Sequence, residues 1–217
     1  MSKPLHLPEG REARTLTTPP RIEYRAVEGG GQEPAAFVGQ AVVCGVRSVP
    51  LGYPGFRFVE LVDAHALDAT DMSDVLGVFN HDEDQLLGRT RNNTLTLTRT
   101  ADGGLEYRIP YDGQDPDHQR VMRKIERGDV DGSSFMFRAK KDDWTEEQDA
   151  AGGSLYVRTV LEIETLYDVC PVTRQAYPDS TAAKRSLDAY QQTHPGPPAD
   201  HTADEAMRAR ELELAAY

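Results

Sequence analysis

The stretch NTLTLTRT, residues 93–100, is the most constraining pattern in the chain, because Leu95 and Leu97 alternate with threonines. A period of two puts both leucines on one face of an extended backbone, so the segment predicts a half-buried β-strand. Gly103-Gly104 follows as a turn, and LEYRIP returns, which predicts a β-hairpin. Further strands are expected in AFVGQAVVC, in GFRFVELV around Phe56–Val62, in DVLGVFN, in SSFMFRAKK and in SLYVRTVLEIETLYDVCPV. The acidic, Gly-rich stretch at 142–153 reads as a loop within a hairpin excursion. One helix is well marked: Asp115 suits the N-cap, Pro116 the first helical position, and Gly128 the C-terminal stop. Val121, Met122 and Ile125 give that helix a narrow apolar face, and residues 180–190 read as a second helix. The class is therefore α+β, mainly antiparallel β with a few helices.

At 217 residues the chain suits one domain with appended ends. Residues 1–34 are rich in Pro, Gly and charge and read as a flexible N-terminal arm. The folded domain spans 35–190. Residues 191–217 read as a linker, THPGPPADHT, and a short C-terminal helix, ADEAMRARELELAAY.

The formal net charge is -12, from 36 acidic and 24 basic residues. Such a surface repels phosphate backbones and anionic lipid, so neither nucleic acid nor membrane is an expected partner. The two cysteines, Cys44 and Cys170, lie far apart and lack metal-type spacing, so no zinc or other metal site is expected. The first twenty residues carry charge and prolines where a signal peptide needs an apolar run, and no stretch has the length of a membrane helix. A reducing, cytoplasmic setting is the expectation. Nucleotide-binding glycine loops are absent, and no cofactor is expected.

Three residue groups can carry chemistry. In VDGSSFMF, alternation sends Phe135 and Phe137 to one face and Ser134 and Met136 to the other. Ser134 thus sits on a rigid strand just after Asp131-Gly132, a placement that suits a nucleophile. Alone, a serine there is more often an ordinary strand residue. His81 ends the apolar run Val75–Phe79 beside acidic neighbours and suits a general base, although a surface-loop histidine is the plainer alternative. For a group that orients the histidine, Asp168, Glu162 and Glu164 all remain open. With regular pairing through 166–170, Asp168 shares a face with Leu166 and Cys170.

Together these segments resemble the prohead (capsid maturation) protease family of tailed bacteriophages, over about residues 36–185. FVGQAVV resembles the family's opening strand, and FRFVELVDAHAL its E-x-I-x-P-G-A-F region without the Pro-Gly. VLGVFNHDEDQLLGRTRNNTLTLT is similar to the block that holds the family's catalytic histidine. RKIERGDVDGSSFMF is similar to the block that holds its serine, and LYDVCPVTRQAYPDS to its last block. The resemblance implies His81 as catalytic histidine, Ser134 as nucleophile and Asp168 at the acidic position. Met136 stands where the family has glycine, Cys170 where it has serine, and Gln175 where it has proline. It also implies a closed antiparallel β-barrel similar to that of herpesvirus assembly proteases. The implied activity is cleavage of scaffold, or of the scaffolding segment of the major capsid protein, inside the assembling prohead in the host cytoplasm. Self-cleavage and self-association are implied as well. The rival readings are a non-catalytic capsid assembly factor and a metal-dependent hydrolase built on His81, Asp82 and Asp84.

Overall fold

Alternating burial assigns each strand a face, and the pairing register then assigns it a sheet. The computed structural model describes residues 10–53, 56–148, 154–173 and 181–194. Its strands are β1 (Glu12–Leu16), β2 (Arg21–Ala26), β3 (Gln32–Val42), β4 (Leu51–Tyr53), β5 (Phe56–Val62) and β6 (Leu76–Phe79). Then follow β7 (Asp82–Arg89), β8 (Thr96–Arg99), β9 (Leu105–Pro110), β10 (Gly132–Gln148) and β11 (Ser154–Val172). The helices are α1 (Pro116–Glu126) and α2 (Thr181–Thr193). The chain divides into a main unit ending at Lys184 and a second unit from Arg185.

The expected hairpin is β8 with β9, antiparallel, with Leu97 opposite Tyr107. Leu95, Leu105, Tyr107 and Ile109 are buried in one core with Phe37 and Val42 from β3. The same core takes Phe135 and Phe137 from β10 and Val160, Ile163, Leu166 and Val169 from β11. Two sheets therefore share one apolar interior. Helix α1 adds Val121 to it, with Met122 and Ile125 packed alongside. The Asp115 carboxylate accepts the Asp117 amide at 2.8 Å, and Gly128 follows the helix with φ 76°.

The closed barrel is corrected by the sheet order. One sheet runs β2-β3-β9-β8 and the other β1-β10-β11-β5-β4, with β6 and β7 attached through β11. Both are open. A barrel closes only when its outermost strands pair with each other, and here β2 and β8 end one sheet while β1 and β4 end the main path of the other. The length of β11 explains this: its 19 residues take β5 along Tyr156–Val160 and β6 along Asp168–Val169, both in parallel.

Two local expectations also change. The acidic stretch from Asp142 to Gln148 is strand rather than loop, paired with Ser154–Val160. Trp144 is buried there and meets the Phe58 ring edge-on at 5.3 Å, which gives this charged ribbon an apolar anchor. Within the stretch read as a flexible arm lie β1, paired with β10, and β2, paired with β3. The burial of β1 comes from the distant β10, which local composition does not reveal, while β2 is a mostly exposed strand in a hairpin with β3. The C-terminal helix read at the end of the chain lies outside the described residues.

Removing the α1 cap with Asp115→Ala is expected to cost about 1 kcal/mol of stability. Urea unfolding followed by circular dichroism measures it, and an unchanged midpoint would contradict the capping role.

Candidate active site

His81 reaches its position through an uncommon turn. Strands β6 and β7 pair Phe79 with Asp82, so Asn80-His81 is a two-residue connection. Both residues have φ 57°, the left-handed conformation that such tight hairpins demand. Asparagine tolerates that region well; histidine does so less readily and is held by its surroundings. The Asn80 amide donates to the Pro171 carbonyl at 3.1 Å, and Asn80 Oδ1 accepts from the Thr173 amide at 2.9 Å. These bonds fasten the hairpin tip to the end of β11.

Ser134 and Asp168 come from the paired strands β10 and β11. Ser134 stands opposite Cys170 and Met136 opposite Asp168. One step further, Phe137 stands opposite Leu166, so Tyr167 is an extra residue on β11, a β-bulge. The bulge separates Leu166, which packs in the main core, from Asp168. Regular alternation put those two on one face; the bulge re-aims Asp168 to the face of Ser134 and Cys170.

The three groups meet. His81 Nδ1 lies 2.7 Å from Asp168 Oδ1, and His81 Nε2 lies 2.7 Å from Ser134 Oγ. Glu162 instead pairs with Lys140 at 2.9 Å and Glu164 lies 3.7 Å from Arg138, both on the surface. His65 is exposed and bonded to Asp68, while His118 is a core histidine whose Nδ1 accepts from the Asp112 amide and whose Nε2 donates to the Leu87 carbonyl.

Burial is the largest influence on the His81 ring and favours its neutral form, yet Cys170 and Asp168 outweigh it and raise the imidazole well above its ordinary value. Burial also raises the Cys170 thiol. Cys170 is thus uncharged at neutral pH, and the Asp168 carboxylate carries the effect there. His81, Asp168 and Cys170 are also close enough to surround a metal ion. His81 Nδ1 is already bonded to Asp168 and the thiol is neutral, so binding an ion there would dismantle the Ser134–His81–Asp168 chain. Asp82, from the rival metal cluster, is bonded to Gln85 and to the Asp84 amide.

One neighbour escaped the sequence reading. Strand β1 pairs with β10 so that Thr15 stands opposite Ser134. Ser134 Oγ donates to the Arg14 carbonyl at 2.8 Å, and Thr15 Oγ1 donates to Ser134 Oγ at 3.1 Å. Ser134 has no exposed surface. Neither Arg14 nor Thr15 lies in a motif; only the alternation of Glu12, Arg14 and Leu16 with smaller residues hinted at a strand.

A serine and a carboxylate on paired strands, joined through a histidine at a hairpin tip, form one hydrogen-bonded series, and that is a serine-hydrolase arrangement. The chain belongs to the Caudovirus prohead serine protease family, whose match spans residues 21–193. It is therefore a member of a serine protease family with a role in capsid maturation. No curated protein matches it, and no solved structure does. Among the described residues, no helix is long and apolar enough to cross a membrane.

Because the folded His81 holds its proton more tightly than the unfolded one, this pairing contributes fully to stability below about 6.5 and loses that contribution as pH rises through the folded value. NMR titration of the imidazole is expected to place it above 6.5 and to bring it down in Asp168→Asn. A His81 that titrates at or below 6.5 in the unmutated chain would contradict this electrostatic account.

Proposed function

We propose that this chain is a serine endopeptidase that cleaves scaffold, or the scaffolding segment of the major capsid protein, during prohead maturation, and that it also cleaves itself. The observation that carries the reading is the Ser134–His81–Asp168 series, 2.7 Å at each link, in a chain of the prohead protease family. Ser134 Oγ attacks a peptide carbonyl while His81 Nε2 takes its proton. His81 then gives that proton to the leaving amine, and water releases the acyl group by the same route. Asp168 holds Nδ1–H, fixing the ring and stabilising the imidazolium that forms. Met136, which stands where the family has glycine, lies between Ala13 and Tyr167 on the site's face and narrows it. The protease domain is 35–190, and self-cleavage acts on the sequence at its ends. The setting is the assembling prohead in the host cytoplasm, where self-association of the protease is also part of the reading.

Co-expression with the cognate capsid protein, read by intact mass, tests the proposal. The unmutated chain is expected to shorten the capsid or scaffold protein, while Ser134→Ala and His81→Ala each lose activity by at least about 10³-fold without unfolding. Undiminished cleavage by Ser134→Ala would sink the assignment. Full-length substrate in assembled particles with every variant would favour an assembly factor.

A further inference from the structure

The triad is shut. Ser134 is fully buried, and the side chains of His81 and Asp168 keep only 2% and 7% of their exposure. What covers the serine is β1, an edge strand whose one ladder is with β10. An extended chain laid along the strand that carries the nucleophile is the geometry of substrate binding by strand addition. The carbonyl nearest the nucleophile is that of Arg14.

The protons show why this strand is not simply cut. Ser134 has one hydroxyl proton, and it goes to the Arg14 carbonyl, which can only accept. The contacts from His81 Nε2 and Thr15 Oγ1 then reach Ser134 Oγ as donors. In that arrangement His81 has no free lone pair, and the serine proton points away from the base. Departure of β1 removes the competing acceptor and admits water, to which His81 Nε2 gives its proton, so that the serine proton can turn to the freed lone pair.

The side chains of β1 are held by charge. Arg14 makes two 2.7 Å bonds to Glu60, one through Nε and one through Nη2. Glu12 receives Arg158 at 2.6 Å and 2.9 Å, and receives Arg14 Nη2 at 2.6 Å. Arg158 also bonds Glu60 at 2.9 Å and Asp142 at 2.6 Å. Glu12, Arg14, Glu60 and Arg158 are all buried. Beyond Leu16 the cleft opens into a cavity of about 240 Å³ against Val43, Val46, Val49 and Leu51. Val46 and Val49 there are among the few large apolar side chains left exposed.

Resting on the protease reading above, we propose that β1 occupies the substrate cleft as a pseudosubstrate, and that Glu60 and Arg158 are the specificity-determining residues that it engages. The cleft then selects an extended segment with a basic residue immediately before the cut bond and an acidic residue two positions earlier, Glu-x-Arg in β1. Apolar residues after the cut fit the adjoining cavity. Activation is displacement of β1 by such a segment, which restores the same charge pairs.

The test is the rate at which a fluorophosphonate, a probe that bonds to an activated serine with loss of fluoride, labels Ser134 in the full chain. Thr15→Pro places a proline ring in β1 opposite Ser134 and removes the hydroxyl contact, and is expected to raise that rate about tenfold or more. Thr15→Ala, which removes only the hydroxyl contact, raises it less, and serves if the proline variant fails to fold. A peptide copying residues 11–18 is expected to slow labelling of the opened variant, while the same peptide with the residues at Glu12 and Arg14 exchanged needs about tenfold more for the same effect. Equal labelling of the unmutated chain and both variants overturns the occlusion, with the protease reading intact. Equal competition by the two peptides overturns the charge selection by Glu60 and Arg158. Labelling in none of the chains, all folded, removes the protease reading and this inference with it.

Discussion

Strands β10 and β11 are paired over nearly their whole length, and the rest of the larger sheet takes its position from that ladder: β1 on β10, β5 and β6 on β11, β4 on β5, β7 on β6. The ladder is not regular. Its shifts fall between Met136 and Asp142, so the end with Ser134 and the end with Trp144 turn different faces to the core. The shift at Tyr167 matters most for chemistry. Without it Asp168 would face the same way as Leu166, into the apolar interior, where a carboxylate without a partner is costly. With it, Asp168 meets His81, and Tyr167 packs beside Met136 and under the Arg11 guanidinium. One residue of slack in a strand thus serves both core packing and the polar series across the opposite face.

The second constraint is a set of charges inside the protein. Two guanidinium groups, Arg14 and Arg158, meet the carboxylates of Glu12, Glu60 and Asp142. Taking such groups out of water costs several kcal/mol each, and only mutual pairing offsets it. Arg14 and Arg158 accordingly hold their protons more tightly than usual, and the Glu12 carboxyl is lowered by the two arginines even though burial acts the other way. By contrast, pairs such as Arg21–Glu106 and Arg108–Glu23 are solvated and contribute little. The buried set fixes the register of β1, because a shift by one residue would turn Glu12 and Arg14 away from Glu60 and Arg158.

What the sequence made legible was local. The NTLTLTRT hairpin follows from a period of two and a glycine turn, and α1 from Asp115, Pro116 and Gly128, each acting within a few residues. Phe135 and Phe137 went to the core face because alternation is a property of the strand itself. The remainder depended on partners far along the chain. Nothing near Tyr167 marks a bulge. Composition made Asp142–Gln148 look like loop because the anchor of that ribbon is Trp144 against the distant Phe58. Residues 12–26 resembled a loose arm because the burial of β1 is supplied by the distant β10, and β2 stays mostly exposed on β3. The closed barrel rested on resemblance alone, and whether two edge strands meet is not written in any one segment. The choice among Asp168, Glu162 and Glu164 was likewise open in the sequence, since all three alternate along one strand; their distant partners distinguish them, His81 for Asp168 and surface Lys140 and Arg138 for Glu162 and Glu164.

These features bear on one another at Ser134. A serine on a strand is held rigidly, but its strand also offers a ladder edge to any extended chain, and an edge strand of the same molecule fills that place here at high effective concentration. The strand stays because its charged side chains have found buried opposite charges in Glu60 and Arg158, and because Arg14 offers the serine an acceptor. Each bond that holds β1 is one that a bound peptide of the same pattern can remake, whereas the bonds that hold Asn80, His81 and Asp168 do not involve β1. Loss of the strand therefore leaves the polar series assembled, lets His81 Nε2 release its proton to solvent, and frees the serine proton to turn toward the lone pair that results. Rigidity of the Ser134–His81–Asp168 series and replaceability of the covering strand are consequences of the same ladder, with β11 on one side of β10 and β1 on the other.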